Sequence, residues 1–276
     1  MPSFRRTTLS ILLSAITLTA MAPCSMHASE LPLTDGEHFT YRLSWGIFGK
    51  AGELHMTASK APGAEDSHTT IVMETSTRGV IRALYPFDGR AESLYENDTG
   101  RLLQAKATTM SRTKETSAII DLNYDTAMAS YVDHLRPEKS LEVEIPDGNP
   151  ADFLTTLIQT RTWDLAIGEK RDVTVLFDDE FYELQITAEE EVTIKTPWGK
   201  KRALVLIPRM VENPKGMFKR GGEVRVWLSL DGQRLPLRFE VKVKVGTAVA
   251  VLTDHGSSDP AAAEIAPSAG IATSDL

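Results

Sequence analysis

The chain has 276 residues, 42% of them apolar and 25% charged, with a formal net charge of −8. That is ample material for a core, and it is too acidic for the basic face that general nucleic-acid binding uses. A single cysteine, Cys24, rules out an internal disulfide, so burial has to hold the fold together.

Residues 1–28 have a secretory signal layout. Arg5 and Arg6 precede the apolar run Leu9 to Met21, small residues follow, and the cut is expected after Ala28. The run is too short to span a bilayer comfortably. A retained anchor is one alternative, and a lipoprotein acylated at Cys24 is another, although Pro23 suits that chemistry poorly. Without residues 1–28 the net charge becomes −10. The expectation is an exported, periplasmic protein with a single β-rich domain over residues 29–253.

From Gly36 the apolar period is two. Phe39, Tyr41, Leu43 and Trp45 alternate with polar residues, Gly46, Gly49 and Gly52 punctuate a turn, and Leu54, Met56 and Ala58 resume the alternation. Strands are predicted at His68–Ser76, Ala91–Tyr95 and Leu102–Thr109, the last two joined through Asp98-Thr99-Gly100. A short helical turn is predicted over Arg78–Tyr85. Further strands follow at Ser117–Leu122, Ala127–Asp133 and Leu141–Ile145.

Residues 149–164 break the pattern and predict the one main helix. Asn149 caps it, Pro150 suits its first position, and Phe153, Leu154, Leu157 and Ile158 form an apolar stripe. Strands resume at Val173–Phe177, Tyr182–Ile186, around Val192, and at Ala203–Pro208, Val224–Leu230, Leu235–Val245 and Thr247–Leu252. Residues 254–276 read as a disordered Ala/Ser/Pro-rich tail. Gly36-Glu37 recurs as Gly168-Glu169, and Asp98, Arg101 and Leu102 recur as Asp231, Arg234 and Leu235. Two similar halves, 36–122 and 168–252, bridged by the helix, are one reading; chance recurrence of turn residues is the other.

Ten or so strands would make a sheet roughly 48 Å wide, far more than one helix about 10 Å across can cover. The fold class expected is therefore all-β dominated, a strongly curved antiparallel sheet forming a half-barrel or open barrel, with the helix packed on the concave face. Two packed sheets are the alternative.

Trp45-Gly46-Ile47 through Gly52, Asp152 to Arg161 with Gly168, and Trp227-Leu228-Ser229-Leu230-Asp231 followed by Arg234-Leu235-Pro236-Leu237-Arg238 resemble the motifs of a known family. It is a family of exported bacterial proteins, domain-of-unknown-function family number 3108, and the resemblance covers residues 34–254. It implies the domain boundaries and export, and it brings no activity or catalytic residue.

No catalytic constellation stands out. The six histidines are scattered without metal-ligand spacing, and no nucleophile elbow, phosphate loop or dinucleotide fingerprint occurs. Asp178-Asp179-Glu180 lacks a surrounding calcium loop. A non-enzyme without cofactor or metal is expected. Arg161 falls on the apolar stripe beside Leu157, where it would hold the anionic head of an amphipathic ligand, with Tyr41 and Trp45 lining the same cavity; the plainer readings make Arg161 a partner of a sheet carboxylate and the aromatics core. In the loop after Asn213, Met217 and Phe218 stand between Lys215, Lys219 and Arg220. This loop would touch a membrane surface or an envelope protein, or else fold back as a flap over one end of the barrel. The leading functional expectation is a lipid-like or other hydrophobic small molecule bound in the cavity of the curved sheet. The competing one is an envelope interaction or assembly module with a filled core.

Overall fold

A computed structural model describes residues 32–46, 48–61, 67–218, 222–243 and 246–257. Residues 1–31, Cys24 among them, Lys219, Arg220 and all residues beyond Ser257 lie outside the described residues.

The first meander comprises β1 (His38–Trp45), β2 (Phe48–Lys60), β3 (His68–Thr77), the short helix α1 (Gly79–Leu84), β4 (Phe87–Glu96), β5 (Arg101–Ser111), β6 (Glu115–Asn123), β7 (Met128–Asp133) and β8 (Leu141–Glu144). After α2 (Phe153–Gln159) the second meander runs through β9 (Lys170–Phe177), β10 (Glu180–Thr196), β11 (Gly199–Met210), β12 (Glu223–Ser229), β13 (Pro236–Val243) and β14 (Gly246–Gly256). All are antiparallel neighbours in one 14-stranded sheet. The order is β8 to β1, then β14 to β9, so the first and last strands meet in the middle and the strands flanking α2 form the two edges. No ladder joins β8 to β9 among the described residues, so the sheet is not a closed barrel. The edges nevertheless approach each other, because the Tyr131 hydroxyl of β7 donates to Asp178 in the β9–β10 turn at 3.4 Å.

Four local expectations change. The helix spans Phe153–Gln159, followed by a single 3₁₀ turn over Thr160–Thr162, and its cap is Asp152 rather than Asn149. The reason is tertiary: Ala151 forms a parallel bridge to β9, donating to the Thr174 carbonyl at 3.0 Å and accepting from Leu176 at 2.7 Å, which keeps the chain extended up to Asp152. Of the three early glycines only Gly46 lies in the turn. Gly49 and Gly52 belong to β2, and Gly52 is needed because a Cβ there would lie 2.2 Å from the Ser76 carbonyl oxygen of β3. The strand expected around Val192 is the second half of β10, a 17-residue strand bent by a bulge between Ala188 and Glu190. Finally, Asp254, His255 and Gly256 belong to β14 and not to the tail.

The two meanders open on the same turn. Gly36 and Gly168, both with positive φ (71° and 88°), donate to the carbonyls of Ala58 and Ala188 at 2.9 and 2.7 Å. The carboxylates of Glu37 and Glu169 accept from the backbone N–H of Thr34 and Ala166, three residues back, at 3.1 and 2.9 Å. The Asp98 and Asp231 turns likewise both join the fourth and fifth strands of their meanders.

Two buried clusters result. One gathers Phe39, Tyr41, Met56, Ile71, Tyr95, Leu102 and Ile120 of the first meander with Leu154 and Ile158 of α2. The other gathers Val175, Leu184, Ile186, Leu204, Leu206 and Val226, with Phe153 and Leu157 packed on it. The apolar stripe of α2 therefore divides between the clusters. β11 is buried on both faces, Ala203, Val205 and Ile207 in one cluster and Leu204 and Leu206 in the other, which explains its unbroken apolar run.

Candidate ligand-binding face

In an antiparallel ladder, residues directly opposite one another share a face of the sheet. Phe39, Met56, Met73, Ala91, Ala107 and Ala118 form one such row from β1 to β6. Phe39 and Met56 are buried core, so the whole row lies on the core face. The next row, Tyr41, Leu54, Thr75, Gly89, Thr109 and Thr116, repeats the pattern. The large side chains end at Met73 of β3 in the first row and at Leu54 of β2 in the second, and beyond them both rows carry only alanine, glycine and threonine. Ala91, Gly89, Thr109, Thr116 and Ala118 are half-buried and Ala107 is exposed. Here the core face is left partly open: a trough floored by alanine, glycine and threonine.

The trough has defined boundaries. On one side the next row over, Ile71, Ser93, Ala105, Ile120 and Tyr131, joins the packed core. Beside it a polar cluster ties α2 down: Asp152 accepts from the Thr155 N–H and hydroxyl, both at 2.8 Å, and from the Ser93 hydroxyl, while the Thr155 and Tyr95 hydroxyls also pair. Burial pushes the Tyr95 phenol well above its ordinary pKa, so it stays a neutral hydrogen-bonding group. On the other side the Phe87 ring lies over Gly89, where an added Cβ would meet ring carbons at 3.1 Å. Arg112, in the β5–β6 turn, donates to the Ala83 carbonyl of α1 at 2.9 Å and ties these connections together. At the β8 edge Leu141, opposite Tyr131, is 41% exposed.

The structure scatters the residues picked from sequence. Arg161 is buried in an ion pair with Glu37 at 3.0 Å, and its remaining donors reach the Gln233 carbonyl at 3.3 and 3.4 Å. Its guanidinium is thus engaged within the fold, by a carboxylate of the turn that precedes β1. His255 donates to the same carboxylate oxygen at 2.9 Å. Burial alone would raise the Glu37 pKa, but the His255 hydrogen bond, the Arg161 charge and the Thr34 N–H outweigh it and hold it below the ordinary value. Tyr41 is fully buried and donates to the Pro236 carbonyl at 3.0 Å, Leu157 packs on the second cluster, and Trp45 stands partly exposed at the end of β1. Met217 packs on the second cluster and Phe218 is buried in it, its ring 5.7 Å from that of Phe153. These two therefore face the protein.

Where the β11–β12 ladder opens before Pro208, a cavity of about 210 Å3 lies between Ile207, Met210, Phe218 and Val224. It is smaller than the roughly 300 Å3 at which small-molecule pockets begin. Among the described residues no three His, Cys, Asp or Glu side chains converge as metal ligands. The trough has a legible signal, since Gly89-Arg-Ala91-Glu-Ser93 and Ala105-Lys-Ala107-Thr-Thr109 alternate small residues with polar or charged ones. Only the strand register shows that the small sides coincide.

A family model described as a protein of unknown function, DUF3108, matches residues 40–253. No curated protein matches the chain. Among solved structures, a β-barrel-like protein of domain of unknown function DUF1849 from Brucella abortus is similar with a TM-score of 0.53 at 10% identity, over 82% of this chain and 100% of that one. A Bacteroides fragilis chain described as a candidate exported protein with a YmcC-like fold has a TM-score of 0.32 at 12% identity, over 83% and 100%. A Parabacteroides distasonis chain described as a candidate lipoprotein has 0.29 at 9%, over 82% and 97%. Among the described residues no helix is long and apolar enough to cross a membrane.

Proposed function

Because the chain belongs to the DUF3108 family of proteins of unknown function, its role must be read from geometry, and we propose that it is an exported, non-enzymatic protein that binds a lipid-like or other hydrophobic molecule. In this reading the sheet curls into an open half-barrel with α2 on its concave side, and the ligand lies along the trough on the core face of β3 to β6. The observation that carries it is the in-register row in which Ala91, Ala107 and Ala118 extend a face that begins with the buried Phe39 and Met56. A face that is core at one end and alanine at the other leaves room for apolar matter that the chain does not supply. Each ligand methylene laid there and removed from water contributes about 0.8 kcal/mol.

Native mass spectrometry after gentle purification, with extraction of copurifying lipid, tests this directly. A bound lipid or a saturable hydrophobic fluorescent probe is expected, and Ala107→Trp or Ala118→Trp, which fills the trough, should weaken probe binding about tenfold. Protein that is consistently empty and binds no probe, or tryptophan variants that bind like the parent, would overturn the reading. The filled state of both clusters, with Tyr41, Tyr95 and Ile71 of the first and Val175, Ala188 and Leu228 of the second at 0% exposure, favours a second reading, an envelope interaction module without a ligand. The empty outcome would select it.

A further inference from the structure

An antiparallel meander places alternate connections at opposite ends of the sheet. The end carrying α1 also carries the β1–β2, β5–β6, β7–β8, β9–β10, β11–β12 and β13–β14 connections; α2 and the remaining connections lie at the other end. Sorting the exposed large apolar side chains of the described residues by end gives an uneven division. Trp45, Val80, Leu84, Tyr85, Met110, Leu135, Leu141 and Val211 are at the α1 end, and only Ile167 and Trp198 are at the other. The densest group is on α1 itself, where Val80, Leu84 and Tyr85 are 65%, 48% and 71% exposed while Ile81 alone turns inward.

Charge around α1 runs against the net charge of the chain. Around α1 stand Lys50, Arg78, Arg82, Arg112 and Lys114, against Glu53, Asp88 and Glu115. Glu53 is within 3.2 Å of Lys50 and 3.8 Å of Arg78, and Asp88 pairs with Arg82 at 2.8 Å, so the excess on this side is cationic. At the opposite end the connections carry Asp98, Asp125, Asp147 and Asp164, while Lys195, Lys200 and Lys201 flank Trp198 in the β10–β11 turn. The Asp178-Asp179 turn also lies at the α1 end, but beside β9, and the adjacent Glu180 is paired with Lys215 at 2.7 Å. The chain is acidic overall, and the cationic excess around α1 is local.

We propose that the α1 end docks on an anionic lipid bilayer, with Val80, Leu84 and Tyr85 entering the interface and the flanking cations meeting the headgroups. Apolar and aromatic side chains flanked by Lys and Arg are the chemistry of interfacial binding. This goes beyond the ligand reading: docking uses the rim and the ligand uses the trough.

Cosedimentation of the full chain with vesicles of phosphatidylcholine alone, or of equal parts phosphatidylcholine and phosphatidylglycerol, provides the test. Binding is expected to the mixed vesicles, weakened by salt. Val80→Asp combined with Tyr85→Asp should reduce it about tenfold, and both positions are exposed enough that thermal unfolding should be unchanged. Lys114→Glu should weaken binding to mixed vesicles only, and Ala107→Trp should leave docking intact even where it removes probe binding. Equal binding to both vesicle types, no effect of the double variant, or a wild-type dimer that the double variant converts to monomer would overturn the proposal, the last by showing a self-association surface.

Discussion

Arg161 and Glu37 are 124 residues apart in sequence, and both are almost fully shielded from water. Breaking such a pair leaves an uncompensated buried charge, whereas replacing both partners does not. Arg161→Leu should cost about 3 kcal/mol, softened by the remaining His255 contact, and Glu37→Leu in addition should recover much of that loss; urea denaturation of the four proteins in the cycle measures it. The pH dependence has a definite sign. The folded pKa of Glu37 lies below its ordinary 4.5, so its contribution is complete above the unfolded value and disappears as pH falls through the lowered folded one. The stability difference between the parent and Glu37→Gln should therefore shrink as the pH is lowered below the ordinary carboxylate range. The spacing predicts Arg161 on an apolar stripe, where it needs an anion, and although α2 ends at Gln159 and Arg161 lies in the 3₁₀ turn after it, the anion is there. The sequence cannot show that the anion comes from the turn before β1, because nothing local links the two.

At the scale of elements, period-two alternation reads the strands to within a few residues, since each needs only its own two faces. The start of α2 is different. Asn149 and Asp152 are both chemically able to cap, and the Ala151 bridge to β9 decides between them. Asn149 instead donates through Nδ2 to the Thr99 carbonyl at 3.0 Å in an exposed contact. Asp152→Ala should therefore remove about 1 kcal/mol for the cap, and roughly another 1–2 kcal/mol because the Ser93 and Thr155 hydroxyls lose a buried acceptor. Asn149→Ala should stay within about 0.5 kcal/mol of the parent. Equal losses at the two positions in chemical denaturation would mean that the cap lies where local rules alone would put it. The trough follows the same logic: its alanines are visible in each strand, and their alignment exists only in the register between strands.

At the scale of the molecule, the decisive feature is that β14 lies between β1 and β13. The matched Gly-Glu turns and the shared order of the two meanders would suit two units able to fold separately, but the seam argues otherwise. β1 pairs with β14 along its whole length, from His38 opposite Gly256 to Trp45 opposite Ala248, and the first cluster draws Leu235, Leu237 and Leu252 of the second meander together with Phe39 and Tyr41 of the first. Removing β14 would expose two long unpaired edges in the middle of the sheet, a template for aggregation. A chain ending at Thr253, where alternation alone would begin the tail, still holds most of the ladder but loses His255 from Glu37 and from its ring contact with Phe39 at 4.8 Å. It should unfold about 2–3 kcal/mol more easily than a chain ending at Ser257. A chain ending before Gly246 should lose cooperative unfolding and elute as aggregate in size exclusion. If that shorter chain instead melts cooperatively at the parent midpoint, the first meander is a domain in its own right, and the trough would have to be explained without the second.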